Sequence, residues 1–376
     1  MMLLMTAACS SSDNEEGQEK HAMLAVYVYA PEPAAGAQKN AVRRRADVGE
    51  VDVISAAEQE IKSLQLWIYE SDESTFPGKY VGYLSTVEVA SLNTGEGMTY
   101  QIPVSDEFAA DKPEVDVYVQ ANVKAENCGV GTLDKNTTRD DLMAGAKITT
   151  GYFGLANRQK SVPEQGLPMA GKLTMQTVVG DAPALRVGTE TQMSTVQLTR
   201  AVSKLRFVFA KSEGQPEVSI TSIKINAGMI PEVEYLFDET QALTYNTSAG
   251  ELLSSAISDI AETADPTDYI YFNQDAQEYE DLINEAASKQ PKPEVTVSGP
   301  IYLRESDRQL AGTITYTIDN GDPQTVDFAM QQAGDFSRNH TWIVYAYYAG
   351  SGGLQVQSLY VKDWSGKEMS YDFFNW

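Results

Sequence analysis

The prediction of fold class starts from residues 114–122, which read EVDVYVQAN. Val115, Val117 and Val119 alternate with other residues, which is the period-two pattern of a β-strand. Similar strand patterns recur along the chain, in Leu64/Leu66/Ile68, Leu205/Phe207/Phe209 and Ile220/Ile223/Ile225. Two further strand patterns flank Asp319-Asn320-Gly321-Asp322, which is a hairpin signal. Strands at this spacing, separated by Gly, Asp and Asn turns, predict an all-β chain built of β-sandwiches.

Composition agrees with a folded, strand-rich protein. The chain has 376 residues, enough for two domains, with 42% hydrophobic and 22% charged residues. Tyr outnumbers Phe by 20 to 11, and this bias favours strands. The net charge of −25 argues against nucleic-acid binding and against charge-driven binding to anionic membranes, because both partners are negatively charged.

The domain boundary and a few helices are predicted from weaker patterns. Residues 176–194 are loop-rich and strand patterns restart at Val196, so we place the boundary near residue 194, between domains 46–194 and 195–349. An apolar face at helical spacing predicts a helix at 277–288. Short helices are expected around 139–144 and 254–263.

The first residues have the pattern of a lipoprotein signal. Residues 1–9 read MMLLMTAAC, an apolar run ending in small residues before Cys9, which would carry the lipid. The run is short and no Lys or Arg precedes it, which a start codon a few residues upstream would explain; the alternative is a chance cysteine. The polar, acidic residues 10–17 would form a tether, and no later segment has eighteen consecutive apolar residues.

A strand and a basic triplet follow the tether, within residues 10–45. Leu24, Val26 and Val28 share one face of the apolar run 22–30. Three arginines end at Arg45, before Ala46, in a stretch that begins with strand-breaking prolines. They are either a solvated basic loop or a site where an arginine-specific protease cuts after Arg45, removing the lipid anchor and the first strand together.

The C-terminal segment 350–376 has two further strand patterns. Gly350-Ser351-Gly352-Gly353 is a flexible joint. Leu354 and Val356 alternate, and Leu359 and Val361 continue on the opposite phase, which predicts a β-bulge. After a turn at 365–367, a second apolar face follows in Met369, Tyr371 and Phe373. Periodicity alone leaves two interpretations open: closing strands of the second domain, or a detachable donor strand.

Residues for catalysis or metal binding are scarce, and we predict no catalytic residues, no metal and no cofactor. Only His21 and His340 occur, and His21 would leave with the first strand. Cys128 would be the only cysteine after processing, and a buried cysteine is the usual case. The chain has no HExxH, no CxxC pair and no Walker A loop. Asp140-Asp141 are expected to begin a short helix.

In this order, the features resemble the fimbrillin family of Gram-negative anaerobes. The lipobox cysteine, the tether, one strand and an arginine site precede the strand at 57–70. Residues 117–122 resemble the family's "vYvvAN" strand, and residues 167–171 resemble its "lPMsG" turn. Residues 198–205 resemble the "l.R..aKi" opening of its second domain, and residues 336–342 its "RNh.Y" strand entry. Residues 354–376 resemble its C-terminal strands. Ser203 and Trp342 depart from the family pattern, which has Ala and Tyr there.

The resemblance implies a fold and a function. The fold would be two transthyretin-like β-sandwich domains. The precursor would be anchored to the outer membrane as a lipoprotein, and its first strand would fill a groove in the first domain. A gingipain-type arginine protease would remove that strand, and the C-terminal strand of another subunit would replace it. The chain would be a non-enzymatic fimbrial subunit at the cell surface, serving adhesion as a head-to-tail polymer with an unknown receptor.

Two alternatives keep the lipid anchor. One is an anchor subunit of the same fimbriae, which would lack cleavage. The other is a glycan-binding β-sandwich lipoprotein with an aromatic platform, and its candidate residues are Trp67, Tyr80, Tyr83, Trp342, Tyr347 and Tyr348. A surface hydrolase is the third class, and the scarcity of catalytic motifs disfavours it. The presence of both an arginine site and a C-terminal strand pattern favours a stalk subunit.

Overall fold

The structure is a computed structural model, and it describes most of the chain. The described residues are 22–29, 56–71, 79–86, 97–179, 184–187, 194–237, 241–263, 296–330, 332–363 and 368–369. Strands dominate these residues, and the helices among them span seven residues or fewer.

The helices and strands of the first half, in chain order, are β1 Ala22–Tyr29, α1 Ala56–Gln59, β2 Leu64–Glu70, β3 Tyr80–Thr86, β4 Gly97–Val104, α2 Asp106–Asp111, β5 Glu114–Ala121, α3 Ala125–Cys128, α4 Arg139–Gly145, β6 Lys147–Ile148, β7 Met169–Val179, β8 Ala184–Val187, β9 Thr195–Gln197 and β10 Thr199–Arg200.

Those of the second half are β11 Ser203–Ser212, β12 Val218–Ile225, β13 Glu234–Tyr235, β14 Gly250–Glu251, β15 Glu262–Thr263, β16 Thr296–Val297, β17 Ile301–Leu303, β18 Ala311–Ile318, β19 Gln324–Ala329, β20 His340–Tyr348, β21 Leu354–Asp363 and β22 Glu368–Met369.

The first half forms a sandwich from one continuous set of strands. The order is β3-β2-β5-β7-β8-β1-β4, with β9 also paired to β1 and β10 to β7. β7 joins the two layers, because residues 169–176 pair with β5 and residues 177–179 pair with β8. The core between the layers contains the predicted inward residues of β2 and β5, which are fully buried: Leu64, Leu66, Ile68, Val115, Val117 and Val119.

The second half forms a second sandwich. One sheet has the order β15-β11-β20-β21-β22, with β16 and β17 also paired to β11. The other has the order β14-β12-β18-β19. The predicted hairpin joins β18 to β19. Asp319 and Asn320 have positive φ angles of 48° and 56°, and the Gly321 amide donates to the Ile318 carbonyl at 2.8 Å, which is the geometry of a type I′ turn.

A third hydrophobic cluster lies between the two sandwiches. It combines Trp67, Tyr69 and Tyr118 of the first sandwich with Phe237 and Tyr302 of the second. Residues 142–167, including Leu142 and Phe153, contribute to the same cluster. The two halves therefore share buried surface across their junction.

The prediction of an all-β chain is confirmed, and so is the short helix near 139–144. Thr138 caps α4, because its hydroxyl accepts the Asp141 amide at 3.1 Å. The helix expected around 254–263 is wrong. Ile257 instead exchanges backbone hydrogen bonds with Ile220, and the Ile260 amide donates to Val218, so this segment runs extended beside β12. The helix expected at 277–288 lies outside the described residues.

The chain passes from the first core to the second after the predicted boundary. Val196 and Leu198 are buried in the first core, and Leu205 is the first residue after them in the second core. Leu155 precedes this crossing but packs in the second core. The boundary near residue 194 stays a prediction.

Candidate functional site

The candidate site is the place that β1 occupies in the first sandwich. β1 is an interior strand: it pairs antiparallel with β4 on one side and parallel with β8 and β9 on the other. All eight residues of β1 have a partner on β4, from Ala22 opposite Val104 to Tyr29 opposite Gly97. We call the space between β4 and the β8/β9 pair the β1 groove.

The inward side chains of β1 complete the first core. Leu24, Val26 and Val28 are fully buried and belong to the same hydrophobic cluster as β2 and β5. Burial of side chains of this size stabilises a fold by about 1.5–3 kcal/mol each, so the three together contribute roughly 5–9 kcal/mol before ordering costs. The sequence predicted these three residues as one face.

The outward side chains of β1 also have defined places. Ala25 is only 6% exposed although it points away from the core residues. The ring of Tyr27 lies across Gly97 of β4, and a Cβ on Gly97 would overlap the hydroxyl end of that ring. Gly97 is therefore a recess that accommodates an aromatic side chain. Periodicity could not have revealed it, because the contact depends on the register between two strands separated by about seventy residues.

An empty β1 groove would be costly to the fold. The peptide groups of β4 that pair with β1 would lose their partners, and so would those of β8 and β9. The apolar core would also open to water where Leu24, Val26 and Val28 lie. A groove with two open edges and an apolar floor is a template for adding another strand.

The segment after the predicted cut is held independently of β1. Glu58 of α1 is 2% exposed and its Oε1 lies 3.0 Å from Nζ of Lys204, which is fully buried. The hydroxyl of Tyr302 donates to the same carboxylate oxygen at 2.7 Å, and Nε of Arg200 donates to the Glu58 carbonyl at 3.1 Å. Glu58 thus joins the start of the first sandwich to the second.

A second anchor holds the next residues of the same segment. The side chain of Asn122 is fully buried, and its Oδ1 accepts the Lys62 amide at 2.7 Å. Its Nδ2 donates to the carbonyls of Glu60 and Leu167. Asn122 belongs to one motif of the sequence and Arg200 and Lys204 to another, and the fold brings them together around residues 58–63. Their roles were not predicted.

The C-terminal segment lies at the opposite sandwich. β21 pairs antiparallel with β20, and the register shifts between Tyr345 and Ala346, so Gln357 is the extra residue of a bulge. The bulge predicted from the change of phase is therefore present. Leu354 is 3% exposed and Val356 packs against the second core. In this arrangement β21 completes the sandwich of its own chain.

The joint before β21 has the backbone of a glycine-dependent turn. Gly350, Gly352 and Gly353 have φ angles of 99°, 122° and 78°, a region that side chains with a Cβ rarely adopt. Glycine at these three positions avoids the steric strain that a Cβ would cause there.

Several predicted site residues lie outside the described parts of the chain or are described only by their backbone. Cys9, Arg45 and Ala46 lie outside the described residues, as do Tyr371 and Phe373. For Leu359, Val361 and Met369 the structure gives strand pairing: Leu359 lies opposite Val344, and Val361 lies between Trp342 and Met369. Their assignment as donor residues stays a prediction.

His340 and Glu234 contact polar neighbours, and Cys128 is buried. His340 Nδ1 lies 3.0 Å from the Ser337 hydroxyl and 2.8 Å from the Arg338 carbonyl. Burial raises the pKa of Cys128 to about 12, so its thiol stays protonated. Burial likewise raises the pKa of Glu234 to about 8, although the nearby Arg338 opposes this shift.

No group of three His, Cys, Asp or Glu in the described part of the chain is placed to hold a metal ion. None of the described helices has the length and apolar character of a membrane span.

Comparison with known proteins gives relatives by fold. No family model and no curated protein sequence matches the chain. A candidate cell adhesion protein from Parabacteroides distasonis is similar in structure, with a TM-score of 0.52, 15% identity, and coverage of 93% of this chain and 99% of that chain.

Two fimbrial proteins are also among the structural matches. A fimbrial assembly protein from Parabacteroides distasonis has a TM-score of 0.47 and 15% identity, covering 94% of this chain and 100% of that one. The tip fimbrial protein Mfa3 from Porphyromonas gingivalis has a TM-score of 0.46 and 12% identity, with coverage of 91% and 99%. At 15% identity the likeness to the cell adhesion protein concerns the fold alone.

Proposed function

We propose that this chain is a stalk subunit of a cell-surface fimbrium, exported as a lipoprotein anchored at Cys9, cut after Arg45 and polymerised by donor-strand exchange. The observation that carries the proposal is the position of β1. It is an interior strand of the first sandwich, and its inward side chains Leu24, Val26 and Val28 are fully buried. The arginine triplet lies between β1 and α1, so a cut there would separate β1 from the body of the subunit.

The buried contacts that hold residues 58–63 support this role. The Glu58–Lys204 pair and the Asn122 hydrogen bonds hold the chain on the far side of the cut. Removal of residues 1–45 would then open the β1 groove without loosening β2. The resulting interface is head-to-tail, because a segment from one end of a subunit fills a groove at the other, and such an interface generates a filament.

The arginine triplet provides the test. In the variant Arg43→Ala/Arg44→Ala/Arg45→Ala, we expect the full precursor mass and no polymer, because β1 stays covalently attached in its groove. Intact mass and the ladder of SDS-resistant multimers in material sheared from cells measure both effects. Lys39→Ala, which changes a basic residue of the same linker, serves as the control and should polymerise normally. Polymers assembled from the uncut triple variant would overturn donor-strand exchange.

A membrane-retained glycan-binding lipoprotein is the second candidate. Three residues of its predicted aromatic platform, Trp67, Trp342 and Tyr348, are buried, whereas Tyr80 is 44% exposed. The observation that favours it is a pocket of about 290 Å³ with a mixed lining, which includes the polar residues Gln65, Gln120 and Lys124 and the apolar residues Val123, Val130 and Leu133. Recovery of the native protein as an acylated monomer that binds immobilised glycans would support this candidate over the stalk subunit.

A further inference from the structure

The buried centre of β1 has a sequence counterpart at the other end of the chain. Residues 25–28 read Ala-Val-Tyr-Val and residues 358–361 read Ser-Leu-Tyr-Val. The order small, aliphatic, tyrosine, aliphatic occurs around no other of the 20 tyrosines. Residues 116–119 of β5 and residues 300–303 come nearest, but Asp116 and Pro300 stand in the place of the small residue.

Each position of this four-residue pattern has a physical requirement in the β1 groove. Val26 and Val28 point inward and are fully buried, so these places need aliphatic side chains. Ala25 points outward with 6% exposure, so its place favours a small side chain. Tyr27 lies across the recess at Gly97. Ser358, Leu359, Tyr360 and Val361 would satisfy the four places in order.

The bulge of β21 extends the match to the place of Leu24. Without a bulge, Gln357 would fall where the apolar Leu24 is buried. In β21 the register shift at Gln357 puts Val356, Leu359 and Val361 opposite Ala346, Val344 and Trp342, which all belong to the second core. A strand that keeps this bulge therefore presents an apolar triplet on one face, as Leu24, Val26 and Val28 do.

We propose that residues 356–361 of a second copy occupy the β1 groove, with Tyr360 in the place of Tyr27 across Gly97. This inference rests on the proposed function. It adds the register of the incoming strand and the residue of β4 that determines this register. The incoming strand runs antiparallel to β4, as β1 does, and Val356, Leu359 and Val361 fill the places of Leu24, Val26 and Val28. Gly97 selects the register, because it leaves room for an aromatic ring at one outward position.

The other C-terminal pattern fits the groove less well. Met369, Tyr371 and Phe373 also alternate, but the places of Val26 and Val28 would then receive Tyr and Phe rings in a register that starts at Leu24. Inserting side chains that are too large into a packed core destabilises it. The first strand of the segment is also the one that directly follows the glycine joint at 350–353, which can redirect it.

Disulfide mapping tests the register in the assembled polymer. Thr99 is the β4 partner of Tyr27, so a Thr99→Cys subunit should form a disulfide with a Tyr360→Cys subunit in mixed polymers. Thr99→Cys/Tyr27→Cys in the uncut precursor is the control for disulfide geometry. Cys128 does not interfere, because it is fully buried.

The outcomes separate the register from the proposed function. Preferential linkage to Tyr360→Cys supports the proposal. Preferential linkage to Ser358→Cys, Lys362→Cys or Tyr371→Cys overturns the register, while donor-strand exchange stands. If cleavage after Arg45 yields no polymer from unmodified subunits, the proposed function itself fails.

A size exchange at Gly97 tests the recess separately. All subunits carry Tyr27→Ala, so that the precursor folds with either residue at position 97. Gly97→Val should then slow polymerisation by about tenfold or more, because the valine side chain would occupy the place over residue 97 that the ring of Tyr360 needs. Adding Tyr360→Ala should restore much of the rate. Equal rates for Gly97 and Gly97→Val would overturn the role of Gly97.

Discussion

β1 and β21 are both apolar strands near an end of the chain, yet the fold holds them differently. β1 lies between β4 and the β8/β9 pair, and every one of these partners comes from a distant part of the sequence. Among the described residues, β21 pairs along its length with β20, the strand that directly precedes it, and two of its residues, Val361 and Lys362, also pair with β22.

This difference separates the two roles proposed for the strands. A strand held by distant partners on both sides leaves a complete groove when it is removed, and any strand of matching pattern can fill that groove. A strand held on one side by its own hairpin neighbour can detach while the sheet behind it stays paired. The first strand is thus suited to be replaced, and the last is suited to replace it.

The largest effect is expected from a charge on the inward face of β1. Val26→Asp in the precursor should lower the free energy of unfolding by more than about 5 kcal/mol, because a carboxylate would lie in an apolar core with no partner. The soluble yield and the thermal unfolding midpoint measure this loss. Thr99→Asp, on an exposed position of the adjacent strand, is the matched control and should change stability by no more than about 0.5 kcal/mol. A Val26→Asp precursor as stable as the wild type would show that β1 does not fill the groove.

A smaller loss of stability, equal before and after cleavage, is expected when the buried pair of Glu58 and Lys204 is broken. Glu58→Ala leaves the ammonium of Lys204 buried without its carboxylate, which costs about 3–5 kcal/mol. Because Glu58 stays with the mature subunit, the loss should appear in both the precursor and the polymer. Thermal unfolding of the two forms measures it. The double variant Glu58→Gln/Lys204→Met should recover much of the stability, and no recovery would indicate that the pair is not the cause.

The smallest effects on stability are expected from single truncations in β1 and β21, and they compare the two strands directly. Leu24→Ala and Leu354→Ala should each destabilise the precursor by about 2–5 kcal/mol, since both side chains are buried in cores. In the polymer Leu24→Ala should have no effect, because Leu24 leaves with residues 1–45. The temperature at which SDS-resistant polymers dissociate tests this. A polymer weakened by Leu24→Ala would mean that β1 is retained after cleavage.

Much of the fold could be predicted from local patterns. The alternation in residues 64–68 and 115–119 identified the inward faces of β2 and β5, because a strand with one face in a core requires it. The turn at 318–321 was recognisable because Asp and Asn tolerate the positive φ angles that Asp319 and Asn320 adopt there. The segment at 254–263 was predicted incorrectly, since its backbone hydrogen bonds go to β12, a partner that local periodicity does not reveal.

The candidate site could be predicted only in part. The face formed by Leu24, Val26 and Val28 followed from the period of two. The recess at Gly97 and the convergence of Asn122, Arg200 and Lys204 on residues 58–63 did not, because each involves side chains far apart in the sequence.

The sequence by itself determined that this protein is built of strands, which faces of those strands are apolar, and where the phase of the last long strand changes. These properties depend on the order of neighbouring side chains and on the backbone preferences of turn residues. The tertiary structure alone decided that β1 is an interior strand while β21 pairs with its hairpin neighbour. It also decided that Glu58 and Lys204 form a buried pair between the two sandwiches. Partner choice, register and burial arise from packing between distant segments, and no local pattern contains that information.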